Sequence, residues 1–212
     1  MTVMSSSKAP TRTDEQRLWT LGHEYVAGID EVGRGCLAGP LTVAAVVLPP
    51  TCDLTGVRDS KLLSATQRQQ MAVAIKRWAV AIGIGWVASH EIDELGLTLA
   101  QRRAGERALA QINLPYTAII LDGRHNYLGD RVAVATVVKG DQTCLAVSAA
   151  AVIAKVARDS YMALLHQRLP GYGFVRHKGY GSPEHLKALQ ALGPSVYHRY
   201  SYQPVADLTS VG

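Results

Sequence analysis

Three apolar stretches of strand length, far apart in the chain, end in the same way, with an acidic side chain beside glycine. They are YVAGIDEVGRG at 25–35, YTAIILDG at 116–123 and RVAVATVVKGD at 131–141. That ending constrains the fold more than the apolar residues do. A carboxylate taken out of water costs free energy unless a cation or hydrogen-bond donors compensate it, and open α/β sheets bind ligands at the carboxyl ends of their strands. Asp30 and Glu31 close the first stretch, Asp122 closes the second and Asp141 follows the third. If the three strands share one sheet, four carboxylates meet at one rim. The plain alternative is three ordinary polar turns.

Read in order, residues 1–14 form a mobile tail and 15–24 a lead-in helix. Strand one covers 25–30. After Gly39 and Pro40, the β-branched run at 41–48 predicts strand two, joined to the first as a hairpin. The glycines of GRGCLAG do not make a dinucleotide fingerprint, because the third is one place late and a strand follows instead of a helix; no GK[ST] phosphate loop occurs. Ser64 and Gln67 have capping-box spacing and predict a helix to Trp78. Strand three at 80–88 carries Gly83 and Gly85 on one face, which allows close packing against a helix. Ser89 caps a short helix whose Glu91, Asp93 and Glu94 read as a solvated face and helix-N-terminal charges, not metal ligands, and a second helix runs over 98–111. A long helix spans 145–169, with Asp159 paired to neighbouring bases, and Pro183 opens another. His198 and Arg199, in the stretch 197–202, read as solvated surface or phosphate contacts. Beyond residue 204 the chain frays, so 15–204 is expected to be a single domain.

Aspartate and glutamate oxygens, with few histidines, are the ligand set of the hard cations Mg²⁺ and Mn²⁺, not of zinc. Two such ions about 4 Å apart activate a water and stabilise the leaving oxygen of an in-line phosphoryl displacement. Adjacent strand residues face opposite sides, so Asp30 and Glu31 share a site only if the strand ends or twists there, which Gly33 permits. A net charge of +5 and a pI near 9.2 fit a polyanionic partner. In RHKGYGSPEH, at 176–185, glycines frame Tyr180; the ring then faces a sugar or base, with its hydroxyl near a 2′-OH, or else plugs a core edge. Lys61, in Asp59-Ser60-Lys61, contacts a phosphate or serves only loop and capping chemistry. Cys36, Cys52 and Cys144 form no CxxC pair and indicate neither a disulfide framework nor a thiolate zinc site. The first residues lack the apolar core of a signal peptide and no run has the length of a membrane span, so a cytoplasmic protein without a membrane partner is expected.

As a collinear set, GIDEVGRG, LAGP, DSK..S, ILDG, KGD, SAAA.IAKV.RD and HKGYG...H strongly resemble the bacterial type II ribonuclease H family, over most of the chain. The resemblance implies an α/β ribonuclease H-like fold: a mixed central sheet flanked by helices, with a small C-terminal helical appendage that helps clamp the hybrid. It implies Mg²⁺- or Mn²⁺-dependent endonucleolytic cleavage of RNA in RNA–DNA hybrids and at single ribonucleotides within duplex DNA, by a protein expected to be a monomer. On the family's motifs, Asp30, Glu31, Asp122 and Asp141 become the catalytic, metal-binding carboxylates. Gly33, Arg34, Gly35 and Tyr180 read the 2′-OH and the DNA–RNA junction, and Lys61 falls in the DSK motif as a substrate contact. Cys36 stands where the family commonly has proline, and Leu62 replaces a common lysine. Two rivals compete with this reading. A non-catalytic hybrid-binding module would keep the acids apart or pair them with arginines, and another two-metal nuclease would cut all-DNA duplexes.

Overall fold

The computed structural model describes residues 9–57, 63–130 and 132–209. Lys61, with the rest of the DSK motif and Leu62, lies outside the described residues. Strands β1 (Val26–Val32), β2 (Leu41–Val47), β3 (Ala81–Val87), β4 (Ala118–Asp122) and β5 (Ala133–Val137) form one sheet in the order β3-β2-β1-β4-β5. The first three are antiparallel neighbours, which realises the expected hairpin, whereas β4 and β5 run parallel to β1. This is the mixed sheet of the expectation. All seven residues of β2 are buried, as a strand covered on both faces requires.

Helix α1 (Thr13–Thr20) precedes the sheet, α2 (Ala65–Trp78), α3 (Ser89–Leu95) and α4 (Leu97–Leu109) lie between strands, and α5 (Gly140–Thr143) leads into α6 (Leu145–Arg168). The capping box of α2 forms as its spacing predicts. Gln67 N–H donates to Ser64 Oγ at 3.2 Å, and Ser64 N–H to Gln67 Oε1 at 2.9 Å. Helices α2 and α6 cover the sheet face that carries Val26, Val46 and Ile120; α4 covers the face with Ile29, Val43 and Ile119. Missing side chains let the helices come this close. A Cβ on Gly83 or Gly85 would stand 1.9 or 1.8 Å from the carbonyl oxygens of Ala108 and Ala104 in α4, and one on Gly28 would stand 2.3 Å from the carbonyl carbon of Ala146 in α6.

Beyond α6, a 3-10 turn (Pro170–Tyr172) and helices α7 (Phe174–His177), α8 (Pro183–Leu192) and α9 (Val205–Thr209) form the C-terminal appendage. It buries Tyr172, Phe174, Leu189 and Val205 against Met162 and Leu165 of α6 and against Leu37 and Ala38, which follow β1. The appendage is therefore anchored to the loop after β1. Helix α9 corrects the expected frayed end, because Val205 is fully buried and holds the chain down. Residues 11–14 also belong to the fold and not to the expected tail. Thr11 N–H donates to Thr143 O and Leu145 N–H to Thr11 O, both at 2.8 Å, and α1 starts at Thr13 and stops at Thr20 instead of reaching residue 24.

The reading of α3 also changes. Its N-cap is Ala88, whose N–H donates to Glu91 at 3.0 Å, while Ser89 Oγ donates to Tyr197 O at 2.6 Å. Glu91 pairs with Arg107 at 2.8 Å, and Asp93 accepts the N–H groups of Tyr200 and Ser201, both at 2.9 Å. Glu91 is thus the expected helix-N-terminal charge, tied in addition to α4, and Asp93 is a structural tie instead of a solvated acid. The three cysteines are buried and free. Among the described residues no helix is long and apolar enough to cross a membrane.

Candidate active site

The sheet delivers the acids in pairs. The β1–β4 ladder ends at Ile29↔Leu121, so Asp30 and Asp122 hold the next positions, where the two strands are no longer paired. Asp141 arrives one turn after β5, through Lys139 in the left-handed region at φ 59°. Gly140 N–H donates to Asp122 Oδ1 at 2.7 Å, which ties the third acid to the loop that carries the fourth. Strand alternation sends Glu31 to the α4 side, where Gln101 favours its charged form. It still shares a cleft with Asp30. The reason is that pairing to β4 stops there, not that β1 ends, since β1 continues to Val32.

Asp30, Glu31, Asp122, Asp141, Lys155, Tyr180 and the 33–35 loop all line one open cleft of about 470 Å³. Burial, and after it the charges of Glu31, Asp122 and Asp141, hold the Asp30 carboxyl group well above the usual carboxylate range, although Glu31 N–H donates to its Oδ1 at 2.7 Å. Burial and the Asp122 charge push Glu31 up to about 6, against the opposing pull of Arg34. Glu31 Oε2 is buried with no hydrogen-bond partner. Desolvated like charges with an orphaned oxygen suit a hard cation, whose arrival would relieve both penalties. Among the described residues no three His, Cys, Asp or Glu side chains stand arranged to hold an ion as they are. The cleft therefore offers donors and not a preformed coordination shell.

The two glycines of the GRG loop differ in kind. Gly33 lies at φ +86°, and a Cβ there would stand 2.2 Å from Arg158 Nε, so the fold itself demands glycine. At Gly35 an added Cβ meets nothing within 4 Å and φ lies outside the left-handed region, so packing makes no such demand. The opening there faces the cleft. Two fully buried arginines hold this loop and its neighbour. Arg199 donates to the carbonyls of Arg34 at 2.8 Å, Gly33 at 2.7 Å and Gly39 at 2.9 Å. Arg158 donates to those of Pro40 at 2.8 Å, Lys178 at 2.9 Å and Ala38 at 3.1 Å. This corrects the reading of Arg199 and His198 as solvated or phosphate-binding, since both are buried.

Tyr180 is 41% exposed on the cleft wall, so of the two sequence readings the outward-facing ring is the one the structure supports. Its centroid lies 5.8 Å from the Arg158 guanidinium and 6.0 Å from Lys155 Nζ, within cation–π range. Sequence reasoning missed Lys155, Gln101 and the two loop-holding arginines. Lys155 had a signal, because it precedes Asp159 by one helical turn and pairs with it at 2.8 Å.

Residues 27–205 match the family model described as Ribonuclease HII. The chain is 46% identical over 194 residues to the ribonuclease HII of Streptomyces avermitilis, covering 91% of this chain and 83% of that protein. In backbone it is similar to the ribonuclease H2 of Pyrococcus horikoshii OT3, with a TM-score of 0.73 and 24% identity over 88% of this chain and 97% of that one. It is also similar to Bst-RNase HIII in complex with Mn²⁺, with a TM-score of 0.66 and 20% identity over 98% of this chain and 76% of that one. At these identities the two structural likenesses speak for the fold.

Proposed function

From the premise that the chain belongs to the ribonuclease HII family, and so is an endoribonuclease of RNA–DNA hybrids, we propose how this cleft cuts and what it selects. Asp30, Glu31, Asp122 and Asp141 would hold two divalent cations, Mg²⁺ or Mn²⁺, which when bound would supply activation of the attacking water and neutralisation of the leaving 3′ oxygen. The observation that carries this reading is the crowding of three further acids around the buried Asp30 carboxyl group, in a cleft that Tyr180 also lines. The Mn²⁺ complex of Bst-RNase HIII agrees with a hard cation in this fold.

The remaining work falls to the chain's own groups. Lys155 brings positive charge to the cleft wall, where a phosphodiester running past the acids would lie. Arg199 draws the carbonyls of Gly33 and Arg34 into the protein, which aims the loop's opposite edge at the substrate. Tyr180 packs its ring against the sugar and its hydroxyl near the 2′-OH, a group that DNA lacks. The selected substrate therefore includes duplex DNA with a single embedded ribonucleotide as well as continuous hybrid.

Three duplexes test this: one lone ribonucleotide in DNA, a continuous hybrid, and all-DNA, each with Mg²⁺, Mn²⁺ or chelator. Cleavage of the first two only, and none in chelator, is expected. Equal cleavage of all-DNA, or activity in chelator, would overturn the reading.

A further inference from the structure

A chain of hydrogen bonds whose direction can be worked out runs through two buried histidines to Tyr180. His198 is 1% exposed and His185 fully buried, and their Nε2 atoms lie 3.1 Å apart. At that distance one nitrogen carries a proton and the other accepts it. The surroundings decide which. Ser195 N–H, which can only donate, points at His198 Nδ1 from 2.9 Å, so that nitrogen is bare and the 3.3 Å approach of Ser195 O to it carries no proton. His198 must then hold its proton on Nε2 and donate it to His185 Nε2. That leaves the His185 proton on Nδ1, 2.9 Å from the carbonyl oxygen of Tyr180.

The segment that receives this bond is held at every carbonyl. Lys178 O takes Arg158 at 2.9 Å, Gly179 O takes Leu37 N–H at 2.8 Å, and Tyr180 O also takes Ser182 N–H at 2.8 Å. His177 stacks on His185 at 4.4 Å between centroids and accepts Gly179 N–H on Nδ1 at 3.2 Å. Of these holds, the histidine relay is the one that ties Tyr180 itself to the 195–198 turn.

We propose that His198 and His185 are positioning residues that set the Tyr180 ring at the cleft and thereby the preference for a lone ribonucleotide over continuous hybrid. A lone ribonucleotide offers one 2′-OH to find, so its recognition depends on one well-placed ring; a continuous hybrid offers many registers and tolerates a looser one. This rests on the reading of Tyr180 as the sugar-sensing residue.

The test has two arms. Nitrogen-15 NMR of the wild-type protein should show the proton on Nε2 in His198 and on Nδ1 in His185; the reverse tautomers would overturn the relay whatever any variant does. His198→Phe keeps the ring volume but removes donor and acceptor, and His198→Gln restores a donor towards His185. For His198→Phe the lone-ribonucleotide preference should fall about tenfold, the scale of one or two neutral hydrogen bonds, through KM, with cleavage of continuous hybrid within about twofold of wild type. His198→Gln should recover most of the preference. Equal losses on both substrates would mark a merely structural role and overturn the proposal. Tyr180→Ala separates the two ideas. If it loses the preference while a folded His198→Phe keeps it, the relay proposal fails and the Tyr180 reading stands; if Tyr180→Ala keeps the preference, the Tyr180 reading fails and takes the positioning claim with it.

Discussion

The cleft has two walls that both bury charge and treat it in opposite ways. On one, Asp30 and Asp141 are 8% and 5% exposed, and Asp30 is pushed towards its neutral form by burial and then by three other acids. Behind the other, beneath the loop that follows β1, Arg158 and Arg199 are fully buried, yet their guanidinium groups are spent on main-chain carbonyls at 2.7–3.3 Å. A guanidinium offers five donors in a rigid fork and can be satisfied by backbone alone. Clustered carboxylates accept only, so each added one deepens the repulsion. The contrast separates scaffold from reactive surface: charge matched by backbone carbonyls holds shape, and like charges crowded together suit a ligand of opposite sign.

The most drastic way to break this contrast is to neutralise the crowded acid. Asp30→Asn should lower Mg²⁺-dependent cleavage by about a thousandfold or more, with a urea midpoint equal to or above wild type, because one repelling charge is gone. A variant that lost stability as steeply as activity would place Asp30 with the scaffold. Arg199→Leu should do the converse. It strands several carbonyls at once and should cost about 3 kcal/mol or more in equilibrium unfolding, with activity falling only as the folded fraction falls and as the GRG loop loosens. A smaller effect separates the two glycines of that loop. Gly33→Ala meets Arg158 and should cost about 2 kcal/mol; Gly35→Ala should leave stability within about 0.5 kcal/mol and raise KM for a lone-ribonucleotide duplex.

The cleft acids and the buried histidine pair also differ in their response to acid. Burial holds His185 and His198 down to about 4, below the ordinary histidine value of about 6.5. The unfolded chain therefore takes up protons that the folded one refuses. Their contribution to stability is full above about pH 6.5 and is lost as pH falls towards 4. Glu31, pushed up to about 6, works the other way in metal-free protein, with its contribution full below about pH 4.3 and lost as pH rises through 6. Urea midpoints in chelator from about pH 7 to 4.5 should thus fall more steeply for Glu31→Gln than for wild type. An unchanged slope would mean that Glu31 titrates as an ordinary surface acid.

Much of the fold was legible because its signals are local. Ser64 and Gln67 are three residues apart, Gly83 and Gly85 alternate on one strand, and each acid sits within two residues of a glycine at the end of an apolar run. What escaped depends on distant partners. Nothing near Arg199 shows that the carbonyls of residues 33, 34 and 39 will surround it, so an arginine in a polar stretch read as solvent-facing. Glu15 is buried because it accepts Ala146 N–H at 2.7 Å, at the first turn of a helix 131 residues later in the chain. The four carboxylates could be named from the sequence, but not the means by which Asp30 and Glu31 share a cleft. That depends on where β4 stops pairing with β1, a property of two strands and not of either one.

The central claim is that four acids from distant parts of the chain converge to hold two hard cations beside a sugar-sensing wall. It is tested most directly by an anomalous-difference map, at the manganese edge, of the protein crystallised with Mn²⁺ and a lone-ribonucleotide duplex under conditions too slow for cleavage. The account predicts two peaks, both within coordination distance of the carboxylates of Asp30, Glu31, Asp122 and Asp141, with the ribose against Tyr180. A duplex seated in the cleft with no manganese at those carboxylates would contradict it.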